Sequence, residues 1–179
     1  MHDIVFRNVN LIDGGGGPAE QGDLAVADGR IAELGSVGPG RVEIDGQGMV
    51  LAPGFIDTHA HDDGAFLRHP DMAFKLAQGV TSVGSGNCGF SAIPCSPSDQ
   101  SSSASGGILA GLEGEFTDLE GYFSSVLARK PAINNMMLVG HNTVRSLVMG
   151  DQKNDPSQRQ LSAMREHVRC ALEQGACGF

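Results

Sequence analysis

The sequence of 179 residues predicts an α/β protein in which a small β-module precedes alternating strands and helices. Residues 1–53 contain short runs of alternating polar and apolar residues separated by Gly-containing turns, which is typical of β-strands. After Pro53-Gly54, strand-like and helix-like runs follow in the order β-α-β-α-β-α-β. This alternation predicts parallel strands joined by right-handed crossovers, and both a doubly wound sheet and a (β/α) barrel fit it.

Five short strands are predicted in the first part of the chain: Asp3–Val9, Leu24–Ala27, Arg30–Leu34, Arg41–Ile44 and Met49–Ala52. Asp28-Gly29 is a strong two-residue hairpin signal between the second and third strands. We therefore expect a small antiparallel β-module over residues 1–53.

The second part of the chain, residues 54–179, alternates between strand-like and helix-like patterns of apolar residues. The predicted strands are Phe55–His59, Val80–Gly84, Ile133–Gly140 and the start of another at Ala176–Phe179. Three helices are predicted. The first is Pro70–Gln78, stopped by Gly79, and the third runs from Asp155-Pro156 to Gly175. The second opens at Thr117 and has an apolar stripe of Tyr122, Phe123, Val126 and Leu127. The Ser/Gly/Pro-rich segment Cys95–Gly107 is expected to be a loop.

Charge and composition exclude several classes of function. The net charge of −9 and the sequence pI near 4.9 argue against nucleic acid and anionic lipid as partners. No apolar run approaches the length of a membrane span, and the N-terminus lacks the basic region of a signal peptide. Four cysteines without zinc-finger spacing are too few for a disulfide scaffold. These features predict a soluble, cytoplasmic protein.

The segment PGFIDTHAHDDG, residues 53–64, contains the first candidate ligands. His59 and His61 are two residues apart at the end of a predicted strand, so both imidazoles are expected on the same face. Two imidazoles held in this way chelate a borderline-soft divalent metal. The alternative is a pair of surface histidines without a ligand.

Cys88 is the second candidate, in the sequence Gly86-Asn87-Cys88-Gly89 directly after the second strand of the alternating region. Its thiolate adds the negative charge that two neutral imidazoles lack. The alternative is an inert cysteine in a glycine turn. The other cysteines are expected to pack in helices or strands: Cys95, Cys170 and Cys177.

Two further side chains follow the third predicted strand. His141 is a candidate for binding substrate or orienting a ligand, or else a structural histidine. Arg145 is a candidate carboxylate-binding residue, with a surface salt bridge as the alternative. Asp62 and Asp63 are expected either to accept hydrogen bonds from the histidines or, more simply, to be solvated loop carboxylates or helix caps.

With these residues in place, a family resemblance is recognisable. The segment VLAPGFIDTHAH resembles the first-strand signature of the metal-dependent amidohydrolases. HAHDDG, HPDM, QGVTSVGSGNCGFS and VGHNTVR resemble the N-acyl-D-amino-acid deacylases (D-aminoacylases). The resemblance implies the N-terminal part of a (β/α)8 barrel in residues 54–179, preceded by part of a small β-sandwich in residues 1–53. It also implies zinc at the barrel mouth, with Cys88 as a ligand. The metal ligands His59 and His61 match the family's His-x-His pair, which is associated with a second, weaker metal position.

The resemblance further implies hydrolysis of N-acyl-D-amino acids. In such enzymes zinc polarises the amide carbonyl and activates water, while an aspartate acts as general base. Residues 54–179 number 126, whereas a barrel needs about 250. We therefore expect the chain to stop inside the fourth barrel strand and this piece to be inactive alone. The resemblance implies that two further zinc histidines and the catalytic aspartate lie beyond its end. The alternatives are a non-catalytic fragment that binds metal weakly or serves as an interaction module, and a cysteine hydrolase with Cys88 as nucleophile and His141 as base.

Overall fold

A computed structural model of the chain describes residues 1–96 and 116–179. These residues form two compact units, Met1–Pro53 and Gly54–Phe179. The predicted loop Cys95–Gly107 and its Ser-rich stretch lie mostly outside the described residues. Within the described ranges, no helix is long and apolar enough to cross a membrane.

The first unit is a five-stranded sheet built around its first strand. Its strands are β1 (His2–Leu11), β2 (Glu20–Ala27), β3 (Arg30–Gly35), β4 (Gly40–Asp45) and β5 (Val50–Leu51). The order across the sheet is β3-β2-β1-β4, and β5 also pairs with β1. The β2–β3 hairpin turns at Asp28-Gly29, where both residues have the positive φ that such a turn requires.

The expectation of an entirely antiparallel module is wrong for two strands. β1 pairs antiparallel with β2, but β4 and β5 run parallel to β1. Because β3 already runs in the direction of β1, the segment 36–39 must return along the sheet before β4 begins. The Arg7 guanidinium on β1 donates to the carbonyls of Val37 and Gly38 in that segment, at 2.9 and 3.1 Å. No local turn pattern in the sequence predicts these long-range hydrogen bonds.

The second unit contains the predicted parallel sheet. Its strands are β6 (Phe55–Asp57), β7 (Val80–Ser85) and β8 (Asn134–Met137), in the order β6-β7-β8. An isolated parallel bridge joins Leu138, after β8, to Gly178 near the end of the chain. The mixed α/β class is confirmed.

Five helices accompany these strands in the described residues: α1 (Ala65–Arg68), α2 (Ala73–Leu76), α3 (Leu119–Ala128), α4 (His141–Met149) and α5 (Gln158–Glu173). Their buried side chains form one core with the sheet, which includes Phe66, Met72, Val83, Leu119, Tyr122 and Met137. In the apolar stripe predicted for α3, Tyr122 and Val126 are buried, whereas Leu127 is 67% exposed.

Several predicted boundaries are wrong for identifiable reasons. The helix predicted from Pro70 begins only at Ala73, because Met72 has a left-handed backbone with φ 44°. The N-cap of α3 is Asp118 rather than Thr117, since the Asp118 carboxylate accepts the Gly121 N–H.

Two other helix starts also differ from the prediction. α5 begins after Ser157, which forms a capping box with Gln160, and not at Asp155-Pro156. α4 was not predicted at all, and it begins at His141, where the sequence suggested the end of a strand.

Candidate metal centre

The structure brings His59, His61 and Cys88 together. Their metal-binding atoms all lie within 4.8 Å of one another, and all three side chains are exposed. The His59 and His61 rings meet edge to face with centroids 5.9 Å apart. The His59 Nε2 atom lies 3.2 Å from the Cys88 Sγ atom. Three potential ligands thus converge from two chain segments 27 residues apart in sequence.

The chemistry of this donor set fits zinc. Imidazole nitrogens and a thiolate sulfur are the ligands zinc prefers, with Zn–N near 2.0 Å and Zn–S near 2.3 Å. Around a tetrahedral ion, such atoms stand roughly 3.3–3.6 Å apart. The 3.2 Å contact between His59 and Cys88 is close to that value. These three side chains could therefore supply part of a tetrahedral zinc site.

The two histidines follow the carboxyl end of β6 rather than belonging to it. The strand ends at Asp57, two residues earlier than predicted. Because β6 and β7 are parallel neighbours, His59 and His61 lie at the same edge of the sheet as the loop after β7, which carries Cys88. The Asp57 carboxylate accepts the backbone N–H of His59 at 3.2 Å and so fixes the turn into the histidine pair.

Cys88 depends on an unusual backbone in the loop after β7. Gly86 has φ +83°, and a Cβ atom there would lie 2.0 Å from the Leu138 carbonyl oxygen. Cys88 itself is left-handed, with φ 55° and ψ 21°. Only glycine fits at position 86, because any side chain would collide with the backbone after β8. The glycine therefore lets the loop pass close to that neighbouring segment.

The Asn87 side chain ties the cysteine loop to the histidine segment, a role that sequence analysis missed. Its amide nitrogen donates to the Gly84 carbonyl at 2.8 Å and to the Ala60 carbonyl at 3.3 Å, and it lies 3.5 Å from the Thr58 carbonyl. Thr58 and Ala60 flank His59, so this amide holds the backbone on both sides of the imidazole. The only sequence signal was an asparagine between Gly86 and the cysteine.

Lys75 of α2 adds a second set of contacts to the same segment. Its Nζ atom lies 2.6 Å from Asp57 Oδ2 and 2.8 Å from Asp62 Oδ2. The three side chains are between 18% and 30% exposed. The Lys75 hydrogen bond and the His59 backbone N–H hold the pKa of Asp57 below its usual range. The expectation of a freely solvated Asp62 is therefore wrong.

Asp63 is fully buried, which also contradicts the simpler expectation for this residue. Its Oδ1 atom accepts the Ala92 N–H at 2.8 Å, and its carbonyl accepts the Tyr122 hydroxyl at 2.9 Å. Burial raises the pKa of the Asp63 carboxyl. Asp63 thus joins the histidine segment to the core.

The two predicted substrate-binding residues lie on α4. His141 is the first residue of the helix, and its ring lies 5.9 Å from that of Phe179. The next residue, Asn142, donates from its amide to the Cys88 carbonyl at 3.4 Å, so the start of α4 contacts the cysteine loop. Arg145 donates from its guanidinium to backbone carbonyls in the segment after α4, at 2.9 and 3.3 Å. A substrate role for His141 and Arg145 stays a prediction.

The other cysteines differ in exposure. Cys95 and Cys170 are half-buried, as expected for packing residues. Cys177 is exposed.

Sequence comparison finds deacylases that are similar to this chain. The chain is 42% identical to an N-acyl-D-aspartate deacylase of Alcaligenes xylosoxydans xylosoxydans over 98% of its own length and 36% of that protein. It is 40% identical to an N-acyl-D-glutamate deacylase of the same organism, over 99% of the chain and 36% of the relative. A scan against protein-family models finds no match.

Two solved structures that superimpose on the chain are an N-acyl-D-glutamate deacylase and a D-aminoacylase. An N-acyl-D-glutamate deacylase from Bordetella bronchiseptica, solved with zinc and a phosphonate that mimics the tetrahedral intermediate, superimposes with a TM-score of 0.89. It is 39% identical, and the match covers 99% of this chain and 38% of that one. A D-aminoacylase described with a binuclear metal centre has a TM-score of 0.85 at 36% identity, with the same coverage. The predicted resemblance is confirmed, and the chain spans little more than a third of the relatives it matches.

Proposed function

The chain is homologous to the N-acyl-D-amino-acid deacylases, and on that premise we propose that it supplies part of the metal centre of a zinc-dependent amide hydrolase acting on N-acyl-D-amino acids. One observation carries this proposal. Two imidazoles and one thiol converge to within 4.8 Å at the carboxyl edge of a parallel sheet. Active sites of α/β proteins lie at this edge.

We assign the second unit to the first strands of a (β/α)8 barrel. β6, β7 and β8 are adjacent in chain order, and the Leu138–Gly178 bridge places the next segment beside β8. A doubly wound sheet would instead return to place its fourth strand beside its first. Strand order therefore favours the barrel, and the first unit is assigned to part of a small β-sandwich.

The residues of the site have distinct roles in this proposal. His59 and His61 offer neutral nitrogen lone pairs, and Cys88 offers a thiolate that offsets part of the metal charge. When bound, zinc supplies polarisation of the amide carbonyl and activation of water. The three ligand side chains are exposed, so a metal ion could reach them from solution.

The start of α4 is the proposed substrate-facing element. His141 opens that helix beside the cysteine loop, and in this proposal its imidazole hydrogen-bonds a bound substrate. The Arg145 guanidinium already bonds two backbone carbonyls. For Arg145 to bind a substrate carboxylate, those bonds must be exchanged or supplemented.

The test uses the complete gene product that contains this chain. We expect it to contain zinc and to hydrolyse N-acetyl-D-amino acids. The three substrates compared are the N-acetyl derivatives of D-aspartate, of D-glutamate and of a neutral D-amino acid. Cys88→Ser is expected to lose most of the activity, whereas Cys177→Ser, which changes another exposed thiol, retains it. Activity that survives complete zinc removal would contradict the proposal.

A cysteine hydrolase is the competing candidate, favoured by the 3.2 Å contact between Cys88 Sγ and His59 Nε2. The two candidates separate in a single experiment. If alkylation of Cys88 abolishes activity in zinc-free protein, Cys88 acts as a nucleophile. If zinc protects Cys88 from alkylation, Cys88 acts as a metal ligand. A folded product that binds zinc weakly and hydrolyses none of the substrates would favour the non-catalytic alternative.

A further inference from the structure

Lys75 connects the two ends of the segment that carries the histidine pair. Asp57 lies two residues before His59, and Asp62 directly follows His61. One ammonium forms ion pairs with both carboxylates, at 2.6 and 2.8 Å. The two histidines thus lie within a loop that is closed by a single cation.

This closure is less exposed to solvent than an ordinary surface ion pair. The Lys75 side chain is 18% exposed, and Asp62 is 19% exposed, so solvent screens the contacts only partly. Lys75 belongs to α2, which packs against β7, the strand that leads to Cys88. Without the ammonium, two carboxylate oxygens that face the same point would repel each other.

The same carboxylate that bonds Lys75 also sets the backbone of a ligand. Asp57 uses Oδ2 for the ammonium and Oδ1 for the His59 backbone N–H. Displacement of this carboxylate therefore changes the turn that aims the His59 imidazole. Groups that orient metal ligands in this way affect metal affinity without touching the metal.

We propose that Lys75 is a positioning residue for the metal centre, which keeps the imidazoles of His59 and His61 aimed at the point shared with Cys88. The inference rests on the proposed metal-binding function of these three residues. It concerns the chain segment 57–62 and the cation that spans it, and Lys75 itself contacts neither the metal nor the substrate.

The experiment measures metal binding at Cys88 directly. Zinc is titrated into the metal-free protein, and alkylation of Cys88 by iodoacetamide is followed by peptide mass spectrometry. In Lys75→Met, which removes the charge and keeps most of the stem, the zinc concentration that half-protects Cys88 is expected to rise about tenfold or more. In Lys75→Arg, whose guanidinium can also bond two carboxylates, the half-protecting zinc concentration is expected to stay within about threefold of that of the unsubstituted protein.

Arg169→Met is the matched control. Arg169 also bonds two carboxylates, those of Glu166 and Glu173, but on the exposed surface of α5. Its replacement is expected to leave zinc protection of Cys88 unchanged. A loss of protection equal to that in Lys75→Met would show a nonspecific effect of charge and would overturn the inference.

Three other results would also overturn it. If zinc half-protects Cys88 in folded Lys75→Met at the same concentration as in the unsubstituted protein, Lys75 has no positioning role. If folded Lys75→Arg needs as much zinc as Lys75→Met, the effect comes from packing of the lysine stem and not from its charge. If Lys75→Met does not fold, Asp57→Asn and Asp62→Asn replace it, and unchanged protection in both contradicts the inference. Zinc that fails to protect Cys88 in the unsubstituted protein would instead reject the metal centre itself.

Discussion

Replacement of Gly86 by alanine tests whether the cysteine loop depends on its close approach to the segment after β8. Gly86 has φ +83°, and an added Cβ would lie 2.0 Å from the Leu138 carbonyl oxygen and 2.8 Å from its carbonyl carbon. Real Cβ atoms essentially never approach other atoms closer than 3.0 Å. The backbone on one side must therefore move by about 1 Å.

The expected cost has two parts. An L-residue in the left-handed region costs about 1 kcal/mol relative to glycine. Displacement of Leu138 also strains the packing and weakens its N–H bond to the Ser85 carbonyl, now 2.9 Å, at about 1–3 kcal/mol. We expect Gly86→Ala to lower the free energy of unfolding by about 2–4 kcal/mol.

Gly175→Ala is the control, because Gly175 lies in the same unit with φ +104° and nothing within 4 Å of its added Cβ. It carries only the conformational cost of about 1 kcal/mol. Urea unfolding followed by circular dichroism compares the two variants, and the zinc titration of Cys88 measures the effect on the site. Equal destabilisation by the two substitutions, with zinc protection of Cys88 unchanged in Gly86→Ala, would refute the reasoning.

Three further outcomes are expected from side-chain hydrogen bonds. Asn87→Asp places a carboxylate against three carbonyl oxygens, so urea unfolding should show greater destabilisation than in Asn87→Ala; an Asp variant as stable as the original would contradict this. Tyr122→Phe leaves the buried Asp63 carbonyl without its donor and should cost about 1–3 kcal/mol in the same assay, whereas a cost below about 0.5 kcal/mol would be inconsistent with that hydrogen bond. Hydrogen bonds from Arg169, and then from the neighbouring thiol, lower the pKa of Glu166 to about 2. Its stabilising effect is therefore complete above the unfolded value near 4.3 and is lost as the pH falls towards 2. Arg169→Met should raise this pKa in an NMR titration, and an unchanged value would contradict the assignment.

Local patterns predicted most of the elements because their signals lie within a few residues. The β2–β3 hairpin follows from Asp28-Gly29, whose backbone has the positive φ of a tight turn. The end of α5 follows from Gly175, which adopts φ +104° after the helix. The parallel pairing of β4 was missed because it depends on a crossover fixed by Arg7, 30 residues away from its partner carbonyl.

His59, His61 and Cys88 are recognisable as candidate ligands from the linear pattern, since a His-x-His pair and a glycine-flanked cysteine are chemical patterns that do not depend on the fold. The folded chain was needed to show that they meet and which side chains hold them there. Asn87 reaches carbonyls 27 and 29 residues away, and Lys75 reaches Asp57 across 18 residues. Such contacts arise when parallel strands bring distant segments to one edge, and their partners carry no periodicity or spacing that a linear pattern records.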